Sequence, residues 1–149
     1  MVWKHNLPID FVCRFARNEM INVFIVEDSE AMRASLRAML SEFNNIRIAG
    51  YAADEAGAIE QINSTIPDVV ILDLNLQSGT GVAVLKNIKK HHAGIKVVVL
   101  TNCNGELYAD ACKRANADYF FDKSFQFMEV RELFSNWNNA GFTDNKLPD

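Results

Sequence analysis

The chain has 149 residues, of which 49% are hydrophobic and 23% charged, and a formal net charge of −4. That size suits one domain with a single sizeable core. The acidic balance argues against non-specific binding to nucleic acid and against an anionic membrane surface, both of which need a cationic face.

Residues 1–20 do not match the rest of the chain. They read either as a weakly ordered leader or as an added amphipathic helix with Phe11, Val12, Phe15 and Ala16 on one face. Asp10 and Arg14 interrupt any apolar run there, which excludes a signal peptide. From residue 21 strand and helix signals alternate. Residues 21–26 are short, apolar and β-branched, a first strand. Residues 30–43 carry apolar side chains at helical spacing, with Ser29 as the N-cap. Residues 46–51 form a second strand, and 54–63 a second helix capped by Asp54. Pro67 punctuates the chain before the third strand, 69–72. Gly79 and Gly81 mark a loop, and 82–92 read as a third helix. A fourth strand at 97–100, a fourth helix at 105–116, a fifth strand at 119–121 and a fifth helix at 127–138 complete the pattern. Residues 141–149 form a polar tail, leaving a domain over 21–140.

Five strands alternating with five helices predict a doubly wound α/β fold, a parallel sheet with helices on both faces. The strands lack polar alternation, as expected where both faces are covered. The right-handed crossover rule favours the flavodoxin-like order 2-1-3-4-5. Cys13, Cys103 and Cys112 are odd in number and include no CxxC, which predicts free thiols in a reducing, cytoplasmic setting. No apolar run approaches the roughly 18 residues of a membrane span.

In such sheets ligands bind beyond the carboxyl ends of the strands. Strand one ends in Glu27-Asp28, strand three in Asp73, strand four in Thr101, and strand five in Asp122-Lys123. Carboxylates crowded there repel: a pair about 5 Å apart at an effective dielectric of about 20 costs about 3 kcal/mol. A hard divalent cation relieves that, and Mg²⁺ suits a few carboxylates plus water and phosphate oxygens. Lys123 and Thr101 suit the oxygens of a phosphoryl group, and Asp73 is a competent nucleophile. The parts fit in-line phosphoryl transfer to a carboxylate.

These motifs resemble the receiver domains of two-component response regulators. The resemblance covers residues 21 to about 138. It rests on Val-Phe-Ile-Val-Glu27-Asp28-Ser, Val-Val-Ile-Leu-Asp73-Leu-Asn75-Leu, Val-Val-Val-Leu-Thr101-Asn and Ala-Asp-Tyr-Phe120-Phe-Asp-Lys123-Ser. It implies that Asp73 accepts a phosphoryl group from a histidine kinase or phosphotransfer protein. Mg²⁺ would be held by Glu27, Asp28, Asp73 and the backbone carbonyl of Asn75. Thr101 and Phe120 would form a switch pair. The N–H of Asn102 and the ammonium of Lys123 would meet the phosphoryl oxygens.

Three positions depart from the family pattern. Gln77 stands near the usual proline after the phosphoacceptor, which predicts a softer loop. Asn102 stands where a small residue is usual, and its side chain is expected to narrow access. Ser124 replaces the proline that normally follows the lysine through a cis bond, so either a trans bond with a shifted loop or a strained cis bond is expected. The chain ends about ten residues after the fifth helix. Output is therefore expected to run through a protein partner, with no nucleic acid or membrane contact, from a monomer or weak homodimer. The expected surface is helix four, strand five and helix five, with Tyr108, Phe127, Arg131 and Trp137 as contacts. A receiver-like module that takes no phosphate stays open as an alternative. A phosphotransferase working through an aspartyl intermediate is a third reading, but it generally wants an acid where Asn75 stands.

Overall fold

A computed structural model describes residues 20–103 and 105–139. Cys13, the tail 141–149 and residues 1–19, on which the two readings of the N-terminal segment turn, lie outside the described residues. Within them the chain runs β1 (Ile21–Val26), α1 (Glu30–Leu40), β2 (Ile46–Ala52), α2 (Glu55–Thr65), β3 (Val69–Leu72), α3 (Gly81–His91), β4 (Lys96–Thr101), α4 (Glu106–Arg114), β5 (Tyr119–Asp122) and α5 (Phe127–Asn138). All strands are parallel, in the expected order β2-β1-β3-β4-β5.

Local chemistry starts the helices where the sequence placed them. The Ser29 side chain accepts from Met32 N–H at 3.2 Å, and Asp54 accepts from Gly57 N–H at 2.7 Å. Thr80 caps α3 the same way, through Ala83 N–H at 3.1 Å. α1 is shorter than its apolar pattern: past Ser41 the bonds tighten to Glu42 N–H on Met39 O at 3.3 Å and Phe43 N–H on Leu40 O at 3.1 Å, and Phe43 joins the core from that turn.

Successive side chains of a strand point to opposite faces, and β1 shows the consequence. Ile21, Val23 and Ile25 pack with α1 and α5, while Phe24 and Val26 pack with α2, α3 and α4. The three central strands are buried throughout but for one half-buried residue, Asn22. Burying one large aliphatic side chain contributes about 1.5–3 kcal/mol, so the two apolar layers dominate stability. No helix among the described residues is long and apolar enough to cross a membrane.

The amino ends of the strands are pinned by charge. Asp118, just before β5, accepts from Lys89 Nζ at 2.9 Å, Lys96 Nζ at 3.2 Å and Val97 N–H at 2.8 Å. All three side chains are nearly buried. Burial pulls the Lys89 ammonium below its ordinary value, against the opposing charge of Asp118. Asp118→Ala strands two buried ammoniums and is expected to cost about 3–5 kcal/mol, read from urea unfolding. Burial also pushes the Cys112 thiol up to about 11 from 9.0. The folded state thus holds that proton more tightly. Its contribution to stability is full below pH 9 and is lost as pH rises through about 11. At pH 8 Cys112 is expected to resist alkylation in the native protein and to react in urea, checked by peptide mass mapping.

Candidate functional site

The carboxyl ends of β1, β3, β4 and β5 meet at one rim, and the acidic and basic residues expected there do converge. Glu27 and Asp73 are buried, at 2% and 5% exposure, while Asp28 faces solvent at the mouth. One carboxylate oxygen from each of Glu27, Asp28 and Asp73 lies within 4.8 Å of the others. Lys123 Nζ reaches over the end of β4 to both buried acids, 2.5 Å from Glu27 Oε1 and 2.9 Å from Asp73 Oδ2.

The other oxygen of Asp73 is held by two donors. Thr101 Oγ1 donates to Oδ1 at 2.7 Å, and Asn75 N–H donates to the same atom at 3.2 Å. Thr101 is fully buried, and its hydroxyl also accepts from Cys103 N–H at 3.1 Å. Phe120 is buried beneath this rim with Val99 and Cys112 in the same apolar layer. Burial pushes the Glu27 carboxyl above its ordinary value. The hydrogen bonds from Lys123 and Ser29 N–H oppose the shift, and the charge of Asp73 adds to it. Burial pulls the Lys123 ammonium down, but hydrogen bonds and charge from Glu27 and Asp73 outweigh it and leave it above the usual lysine value.

The acidic cluster fits a hard divalent cation. Its donors are all carboxylate oxygens, they are crowded, and one of them is exposed at the mouth. Among the described residues, Lys123 sits against them.

Two contributors escaped the sequence reading. Arg33, one turn into α1, donates from Nη1 to the Glu27 carbonyl at 2.8 Å, and its guanidinium lies 4.6 Å over the Tyr51 ring. It fixes the backbone that carries the acidic pair. Gly81 begins α3 directly behind Asp73, where an added Cβ would sit 2.1 Å from the Asp73 carbonyl oxygen. The residue types alone signalled neither, because both act through how the chain folds back beyond the end of a strand.

The departures also take definite places. The Lys123–Ser124 bond is trans, as no cis peptide occurs among the described residues. Ser124 N–H turns back to Asp122 Oδ1 at 2.7 Å, and Ser124 Oγ donates to Asn102 Oδ1 at 3.1 Å. The Asn102 side chain is thus directed sideways to the neighbouring loop.

One of the expected partner contacts needs correction. Trp137 is 0% exposed and packs edge-on against Tyr119 and Phe134, because it closes the α5 side of the core. Arg131 stays partly exposed while paired with Glu42 at 2.8 Å and lying over the Phe43 ring. Phe127 is partly buried against the core, while Tyr108 is exposed. The large exposed apolar side chains nearby are instead Leu107 on α4 (82%), Phe125 (84%) and Met128 at the start of α5.

A family model for the response regulator receiver domain matches residues 23–135. The chain belongs to that family. The receiver is 31% identical over 113 residues to the chemotaxis protein CheY of Halobacterium salinarum, covering 76% of this chain and 92% of that one. It is 24% identical over 111 residues to the response regulator GacA of Pseudomonas viridiflava, 74% of this chain but 52% of GacA. The receiver thus spans about half the length of that relative. Among solved structures, the response regulator domain of Thermotoga maritima CheB superposes with a TM-score of 0.71 at 27% identity, over 85% of this chain and 99% of that one.

The charge balance at the rim sets a stability contrast. Lys123→Ala leaves Glu27 and Asp73 buried without their cation and is expected to cost about 3 kcal/mol at pH 7 in urea unfolding. Asp73→Asn keeps the Lys123–Glu27 pair and removes carboxylate repulsion. It is expected to cost less than about 1 kcal/mol or to stabilise.

Proposed function

We propose that the receiver accepts a phosphoryl group on Asp73 from a histidine kinase or phosphotransfer protein in the cytoplasm. The receiver unit is residues 21–140, with 1–20 as an extension and 141–149 as a tail. The observation that carries the reading is the setting of Asp73. This buried carboxylate is held by a hydroxyl, a backbone N–H and an ammonium, beside two further acids.

An Asp73 oxygen attacks the phosphorus of the donor. The new bond is the acyl phosphate O–P bond, and the bond that breaks joins phosphorus to the donor nitrogen or oxygen, whose electron pair leaves with the donor. Lys123 exchanges its contact with the Asp73 carboxylate for one with a phosphoryl oxygen. Thr101 turns its hydroxyl donor from Oδ1 to the same group, and Asn102 N–H supports a further oxygen. Glu27, Asp28, Asp73 and the Asn75 carbonyl hold Mg²⁺, which when bound supplies charge neutralisation for the transferring group. Phe120 follows Thr101 inward as a switch. It has no hydroxyl to desolvate, so its buried position is inexpensive.

Modification is read by a protein partner at the α4–β5–α5 face, where Leu107, Tyr108, Phe125 and Met128 are exposed. Phosphate shifts the equilibrium of that face by favouring one arrangement of Thr101 and Phe120. The domain acts in signalling, and its own chemistry is confined to phosphoryl uptake and loss at Asp73.

Incubation with acetyl phosphate or phosphoramidate and Mg²⁺ is expected to add one phosphoryl group, measured by intact mass. Asp73→Asn and chelation of the metal are each expected to abolish the adduct. An unmodified wild-type protein would favour a binding module that takes no phosphate.

A further inference from the structure

The loop that follows Asp73 runs Leu74–Thr80 and contains no proline, so its own residues do little to restrict it. It is nevertheless tied to the start of α2 by three hydrogen bonds. Gln77 N–H donates to Ala53 O at 3.2 Å, and Glu55 N–H donates to Ser78 O at 3.0 Å. Thr80 N–H donates to the side-chain Oε1 of Glu55 at 2.9 Å.

Gly79 between these contacts adopts φ +79°, a conformation that favours glycine. A Cβ there would sit 2.4 Å from Glu55 Cβ and 2.7 Å from its Oε1. The Glu55 side chain therefore occupies the space beside Gly79. Glu55 is not needed to cap its own helix, because Asp54 does that through Gly57 N–H at 2.7 Å. Its carboxylate is turned to the loop.

The loop passes this constraint toward the site. Thr80 pairs with Asn75 across the loop, and Gly81 N–H closes it onto Leu74 O at 2.9 Å. Asn75 N–H in turn donates to Asp73 Oδ1 at 3.2 Å. Two contacts thus separate Glu55 from the residue that holds the Asp73 carboxylate.

We propose that Glu55 is a positioning residue for the phosphorylation of Asp73, clamping through Thr80 and Gly79 a loop that lacks its own stiffening residue. The proposal rests on the reading of Asp73 as phosphoacceptor. Glu55→Ala is expected to slow phosphorylation by acetyl phosphate about tenfold at saturating Mg²⁺, the effect of one lost positioning hydrogen bond. Glu55→Gln keeps an oxygen acceptor at the same place and is expected to stay within about twofold of wild type. In metal-free protein, amide exchange at Asn75 and Thr80 is expected to quicken about tenfold in Glu55→Ala and to be unchanged in Glu55→Gln.

Glu55→Asp keeps the charge but draws the carboxylate back from Thr80 N–H, and is expected to reproduce the Glu55→Ala result. It keeps the test open should Glu55→Ala fold poorly. A wild-type protein that takes up no phosphoryl group sinks the phosphoacceptor reading, while the exchange experiment still reports on the clamp. If wild type is phosphorylated and Glu55→Ala matches it in either rate or exchange, the proposal is overturned. A Glu55→Gln variant as slow as Glu55→Ala overturns it too.

Discussion

The Lys123 ammonium sits between Glu27 and Asp73, and this contact makes four strand ends into one site. β5 does not border β1 or β3; β4 lies between. Only a long, flexible cation at the end of β5 can cross that gap and meet both acids. Without it, two buried carboxylates would face each other, at a cost of about 3 kcal/mol for a pair about 5 Å apart. The cation offsets the burial that pushes Glu27 up, and the two carboxylates in turn keep the lysine charged against its own burial. A parallel sheet supplies the geometry, since all its carboxyl ends lie at one rim.

The opposite rim uses similar ingredients for a different result. There one buried carboxylate, Asp118, meets two lysines and a backbone N–H. Both carboxylate oxygens are taken up by these donors, and the surplus there is of positive charge. At the functional rim three carboxylates meet one lysine. The surplus of acid attracts a hard cation, and the hydroxyl and N–H donors beside it suit an oxyanion. The sign of the imbalance, more than the presence of buried charge, separates the rim that holds the fold from the rim that fits a hard cation.

The three departures from the family pattern turn out to be connected to their surroundings. Asn102 and Ser124, read separately in the sequence, hydrogen-bond to each other across two loops. Gln77, which predicted a softer loop, lies in a segment held by Ala53 and Glu55. The trans bond at Ser124 is accommodated by a turn onto Asp122. In each case a backbone or side-chain hydrogen bond stands where the family uses proline or a small residue.

Much of this protein was legible in its sequence, and the reason is local. Apolar runs, capping residues such as Ser29 and Asp54, and polar residues at strand ends are all written within a few positions. Parallel strands joined by helices then admit few arrangements, so Glu27, Asp28, Asp73, Thr101 and Lys123 had to share one rim. Tertiary structure alone decided the rest. Trp137 carries no mark of being covered, because helical periodicity gives a face but not what packs on it. Arg33 and Gly81 matter through the turns that follow strands, Glu55 through a loop 25 residues away, and Arg131 through an ion pair to Glu42. Contacts of that kind depend on how elements sit against each other in space, which residue type and spacing do not record.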